Sequence, residues 1–160
     1  MMFKKLNKLK NILKKTSENS SDNVLDIINK FAKPQCPKAA ENTKVGKKLN
    51  KKNKESCRKN HMYGPEDPEK DSDEYWKKIS KKWDVSVKTA KKRRCGNCVA
   101  YDQSPRMNSC MDAEDGKIGY CWMHHFKCMS KRTCSTWAGD GPIKKNTVSY
   151  DWQEKNIENS

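Results

Sequence analysis

Apolar positions recur at helical spacing in separate stretches of this chain and nearly vanish between them. Phe3, Leu6, Leu9, Ile12 and Leu13, set among lysines, predict a basic amphipathic helix over residues 2–15, suited to a membrane surface or a partner groove. Val24, Leu25, Ile27, Ile28 and Phe31 form a second short stripe, capped by Ser21 or Asp22 and followed by Pro34. Residues 33–60 are Lys/Asn-rich and without period, and HMYGPEDPEKDSDE (61–74) is turn-rich, so 33–72 is expected to be a disordered linker. Periodicity returns with Tyr75, Trp76, Ile79 and Trp83, behind the caps Ser72 or Asp73 and with Glu74 near the helix's positive end. Asp84 interrupts it. Ser86 then caps a helix over Val87–Arg93 that delivers the chain to Cys95. Thr147–Trp152 is strand-like, with Tyr150 and Trp152 alternating, and 153–160 is a polar tail.

This gives a short helical region (1–32), a linker (33–72), a cysteine-rich domain (73–152) and a tail (153–160). The fold expected is a small α+β domain with few short strands, stabilised by a metal or a cluster, behind a disordered basic N-terminal region. The helix–break–helix before Cys95 also fits a helix-turn-helix, but it lacks a connecting glycine. Trp76, Ile79 and Trp83 are expected to pack it on the cysteine module instead.

Composition sharpens this picture. Only 33% of the 160 residues are hydrophobic and 34% are charged, too little apolar surface to fold throughout. The net charge of +15 is uneven: residues 1–60 carry seventeen cations against five carboxylates, and residues 61–74 one against six. Such a basic arm favours polyanionic partners, nucleic acid or an acidic protein surface. No run approaches the ~18 apolar residues of a membrane span. The first residues lack the apolar region, roughly 7–15 residues long, of a secretory signal. The expected compartment is therefore the reducing cytoplasm, where cysteines are metal ligands more often than disulfides.

Six of the eight cysteines fall between residues 95 and 137, spaced Cys95-x2-Cys98-x11-Cys110-x10-Cys121-x6-Cys128-x5-Cys134. A Cys-x2-Cys turn aims two sulfurs at one centre, a strong ligand signal when further cysteines follow at a loop's distance. Cys36 and Cys57 lie far apart in the linker and are expected to be free thiols. Two ligand sets compete for the centre.

One set is all thiolate: Cys95, Cys98, Cys110 and Cys121 around a four-iron, four-sulfur cluster. Cys95 and Cys98 followed by Tyr101, then Cys110, then Gly119-Tyr120-Cys121-Trp122, resemble the high-potential iron-sulfur proteins over about 28 residues. That resemblance implies a one-electron carrier, its cluster shielded by Tyr101, Tyr120 and Trp122. His124, His125, Cys128, Cys134 and the basic N-terminal region have no counterpart in the family pattern. The segment CWMHHFKC…RTC…TWAGDGPI is also similar to uncharacterised marine bacteriophage proteins, which implies a host-cytoplasmic or particle location and a site that serves as a staple.

The other set is zinc on Cys95, Cys98, Cys121 and His124, where Cys-x2-Cys and Cys-x2-His approach zinc-ribbon spacing. Zinc there would stabilise a module that binds nucleic acid or protein, with Cys128 and Cys134 free or paired. The adjacent histidines could instead bring a second metal to Cys128 and Cys134. A pure disulfide scaffold is a third reading, with Cys128–Cys134 its best pair. His61 and His125 are expected to be exposed. No Gly-rich phosphate loop, HExxH or GxSxG occurs, and Asp112, Glu114 and Asp115 lie in a solvated loop too short to hold calcium, so no enzyme is expected.

Overall fold

Three short strands hold the centre of the domain. β1 (Tyr101–Asp102), β2 (Ile118–Cys121) and β3 (Phe126–Met129) pair antiparallel in the order β1-β2-β3, with Tyr101 opposite Cys121 and Gly119 opposite Cys128. This is a computed structural model, and it describes residues 36–70, 72–113 and 115–158. The two helical stretches expected within 1–32 lie outside the described residues. Tyr101, Tyr120, Phe126 and Cys128 are buried in the main core. A Cβ on Gly119 would sit 2.4 Å from the Tyr101 ring, so the missing side chain lets that ring lie across β2.

The segment expected to be a linker is largely helical. After a 3-10 turn at Lys38–Ala40, helix α1 runs Lys44–His61, capped by the Thr43 hydroxyl, which accepts from the Gly46 N–H. Its inward stripe, Gly46, Leu49, Asn50, Asn53 and Cys57, holds a single aliphatic side chain larger than glycine, so no hydrophobic period announces it. Amides do the docking. The edge-strand N–H of Lys127 donates to Asn50 Oδ1 at 2.7 Å, and Asn53 Nδ2 donates to the His125 carbonyl at 2.8 Å. With the Met129 N–H donating to the Tyr63 hydroxyl, the open edge of β3 is covered. The lysines of α1 are mostly exposed.

Helix α2 (Asp73–Trp83) and the one-turn helix α3 (Val87–Ala90) follow the expected caps, Ser72 and Ser86. At four residues α3 is shorter than expected and too short to read a groove as a recognition helix. Trp76, Ile79 and Ala90 form their own small core. The pair is tied to the cysteine segments through Trp83 Nε1, which donates to the Ser135 carbonyl, and through the Tyr75 hydroxyl, which donates to the Met62 carbonyl.

Helix α4 (Pro105–Met111) starts at Ser104 with proline in its first turn. The expected terminal strand is instead helix α5 (Asn146–Glu158), which also takes in most of the expected tail. Tyr150 is recruited by Arg106, whose guanidinium lies 4.2 Å from the ring centroid and donates to Ser149 Oγ. That clamp joins α4 to α5.

Asp102 sits at the junction. Fully buried, it accepts from Trp122 Nε1 at 2.8 Å, from the Ser149 hydroxyl and from the Ser104 N–H at 2.9 Å. Asp102→Ala leaves three buried donors without an acceptor and is expected to cost about 3 kcal/mol. The urea midpoint should fall with an unchanged slope. A loss below about 1 kcal/mol would contradict this role.

Candidate metal centre

Two backbone turns and one helix end bring the sulfurs together. The 3-10 turn Cys95–Asn97 is closed by the Cys98 N–H donating to the Cys95 carbonyl at 2.9 Å, and Arg94 and Asn97 cap it. The Gly139–Gly141 loop backs this turn. A Cβ on Gly141 would fall 1.7 Å from the Cys98 carbonyl oxygen, so only glycine fits there. The second turn joins β2 to β3 and starts from Cys121, whose carbonyl accepts the His125 N–H at 2.8 Å, with His125 itself at positive φ. Between them, Cys134 is held by the Trp137 N–H donating to its carbonyl. Cys57 arrives from the last turn of α1.

Cys57, His124 and Cys134 place one sulfur, one ring nitrogen and another sulfur all within 4.8 Å of one another, so these three residues could hold a metal ion. Two zinc–sulfur bonds of about 2.3 Å in a tetrahedron put the sulfurs roughly 3.8 Å apart, so this spacing suits one ion. His124 Nε2 lies 2.7 Å from Thr136 Oγ1, and the same hydroxyl lies 3.2 Å from Cys134 Sγ, which fixes both groups. The His61 ring packs on His124 with centroids 4.5 Å apart.

The electrostatics are polarised. Contact with the Cys57 thiol brings Cys134 down to about 4 against the effect of burial, with His124 and Thr136 assisting. Hydrogen bonding to Cys134 raises Cys57, and burial adds to it. Burial works against a charged His124, yet hydrogen bonding to Cys134 and the charge of Cys121 carry it above its ordinary value. The Cys57 thiol and the His124 imidazole both lean on the Cys134 sulfur. A cation entering here displaces protons and takes their place.

A second group of thiols adjoins the first. Cys95, Cys98, Cys121, Cys128 and Cys134 line one narrow cavity of about 10 Å³, closed over by Tyr101, Met123 and Trp137. Cys128, pushed up by burial, is also in sulfur contact with Cys121 and Cys95. Cys121 is lowered by Cys128 and by His124.

Of the expected cluster ligands, Cys95, Cys98 and Cys121 converge and Cys110 does not. Cys110 is bonded to Cys36 (Cα–Cα 5.6 Å), and its sulfur is spent in that bond. Cys36 is therefore no free thiol. Of the expected zinc set, His124 stands beside Cys134 and Cys57 rather than completing a site with Cys95 and Cys98 alone. The expected Cys128–Cys134 disulfide is absent: both are buried free thiols. Cys57, read from sequence as an isolated thiol, is a core member of the centre. His61 and His125 are half-buried rather than exposed. Of the expected shield only Tyr101 lines the cavity, while Tyr120 and Trp122 meet edge to face behind it, centroids 5.0 Å apart.

Among the described residues, no helix is long and apolar enough to cross a membrane. Comparisons with family models, curated proteins and solved structures find no match to this chain.

Proposed function

We propose that the protein is a zinc-stapled module that binds nucleic acid through the exposed face of α1. One observation carries this reading: α1 bears seven lysines and Arg58 against a single carboxylate, Glu55, and the same helix carries the candidate metal ligand Cys57 near its C-terminus. The staple would fix the helix on the domain, and the helix would present its cations to phosphates. Lys48, Lys51 and Lys52 are exposed on the side opposite Asn50 and Asn53.

Zinc is supported over a four-iron cluster by three features. The donors are mixed sulfur and nitrogen, their spacing suits one tetrahedral ion, and the adjoining cavity has room for about one water molecule. A cube of four irons and four sulfides is several times that size. With a fourth sulfur completing the tetrahedron the site would be structural, and its binding energy would serve folding.

The test is binding of the full chain to duplex DNA across a salt series. Each phosphate contact contributes a slope of about −0.9 in log K against log salt. Replacing Lys48, Lys51 and Lys52 by Gln is expected to flatten the slope by about 2 to 3 while leaving bound zinc unchanged. An unchanged slope, or no binding at low salt, overturns the nucleic-acid reading.

A further inference from the structure

We infer that the centre holds two metal ions, the second in the cavity lined by Cys95, Cys98 and Cys128, with Cys134 as a thiolate shared between them. This deepens the zinc reading above and rests on it.

The donors outnumber the needs of one ion. Among the described residues six cysteines are free, and all six belong to this region together with His124. One tetrahedral ion uses four donors. A single zinc on Cys57, His124, Cys134 and one further sulfur would strand three thiols around a cavity. Two tetrahedra sharing one corner need seven donors, which the six thiols and His124 supply.

The arrangement divides at the right residue. Cys57, His124 and Cys134 are one tight group, with all ligand atoms within 4.8 Å. Cys128 touches Cys95 and Cys121, and Cys98 faces the same cavity from the other end of its turn. Cys134 belongs to both groups: its sulfur lies within 4.8 Å of the Cys57 and His124 ligand atoms and it also lines the cavity, while Cys121 adjoins His124 and completes the first tetrahedron. Cys134 is the natural shared corner.

Burial points the same way. Thiols are weak hydrogen-bonding groups, and several packed together with no cation gain little from one another. A divalent ion converts them to thiolates and supplies the charge they lack. A cavity of about 10 Å³ is large enough for an ion, and five of the residues lining it are sulfur ligands. The backbone supports this occupant, since the Cys95 turn is locked by the Gly96 N–H donating to the Ser130 carbonyl and by the Gly141 contact beneath Cys98. Arg93 packs between Trp83 and Trp137, the latter a wall of this cavity.

Native mass spectrometry of the full chain, purified with zinc, tests the inference. Two zinc ions per chain are expected, falling to one in Cys98→Ser and in Cys128→Ser. One zinc in the unaltered chain overturns the second position and leaves the first reading standing. No zinc, or four irons, overturns both. Refolding of metal-free wild-type chain against added zinc gives an answer that does not depend on the variants folding. Saturation of the refolding signal at two equivalents supports the pair, and saturation at one overturns it.

Discussion

Stripping the metal with a strong chelator is expected to unfold the domain rather than merely loosen it. The three residues of the first group come from distant parts of the chain: Cys57 from the end of α1, His124 from the β2–β3 turn and Cys134 beyond β3. Cys57 and Cys134 sit within the main core, so losing the ion would leave unpaired thiols inside it. Structural zinc in small modules contributes about 10 to 16 kcal/mol of apparent binding energy, comparable to the whole stability of an ordinary domain. The expected result is loss of the near-ultraviolet dichroism of Trp83, Trp122 and Trp137, with most helical signal lost alongside it, and recovery on adding zinc. Protons compete with metal for Cys57, His124 and Cys134, so acidification should release the metal in the same way. Full removal of metal with both spectra unchanged would show that packing alone holds the fold.

Breaking the Cys36–Cys110 disulfide is expected to be costly and to leave the metal in place. The bond closes a loop of sequence separation 74, for which loop-closure entropy gives roughly 4 to 5 kcal/mol. It anchors the first described residue to α4, close in sequence to Ala39 and Ala40, which are buried in the main core. The informative variant replaces both residues by Ser, because a lone Cys110 or Cys36 could exchange with the six free thiols. A lowered denaturation midpoint with wild-type zinc content is the predicted outcome. Loss of metal from a chain that stays folded would restore Cys110 to the ligand set.

Much of the cysteine half was legible because its signals are local. Ser72 and Ser86 cap α2 and α3 where expected, and the Cys95-x2-Cys98 turn and the Cys121-x2-His124 turn form as their spacing implies. Helix α1 was not legible, for a physical reason. It docks through Asn50 and Asn53 onto the backbone of an edge strand, and a hydrogen-bonded interface leaves no apolar period to read. Missing the helix meant missing Cys57, since a cysteine in a linker has no fixed direction. The Cys36–Cys110 pairing was hidden similarly, because cysteine spacing constrains ligand turns but not contacts between distant segments. Sequence periodicity also misread residues 147–152. Tyr150 and Trp152 alternate as in a strand, but the Arg106 stack on Tyr150 and the buried Ser149–Asp102 hydrogen bond serve a helix instead.

The most direct test of the metal centre is X-ray absorption at the zinc edge on the full chain, beside its His124→Ala variant. Sulfur neighbours at about 2.3 Å with a nitrogen contribution at about 2.0 Å are predicted, the nitrogen part vanishing in the variant. Zinc surrounded only by oxygen and nitrogen, or a spectrum that His124→Ala leaves unaltered, would contradict the assignment of Cys57, His124 and Cys134 as its ligands.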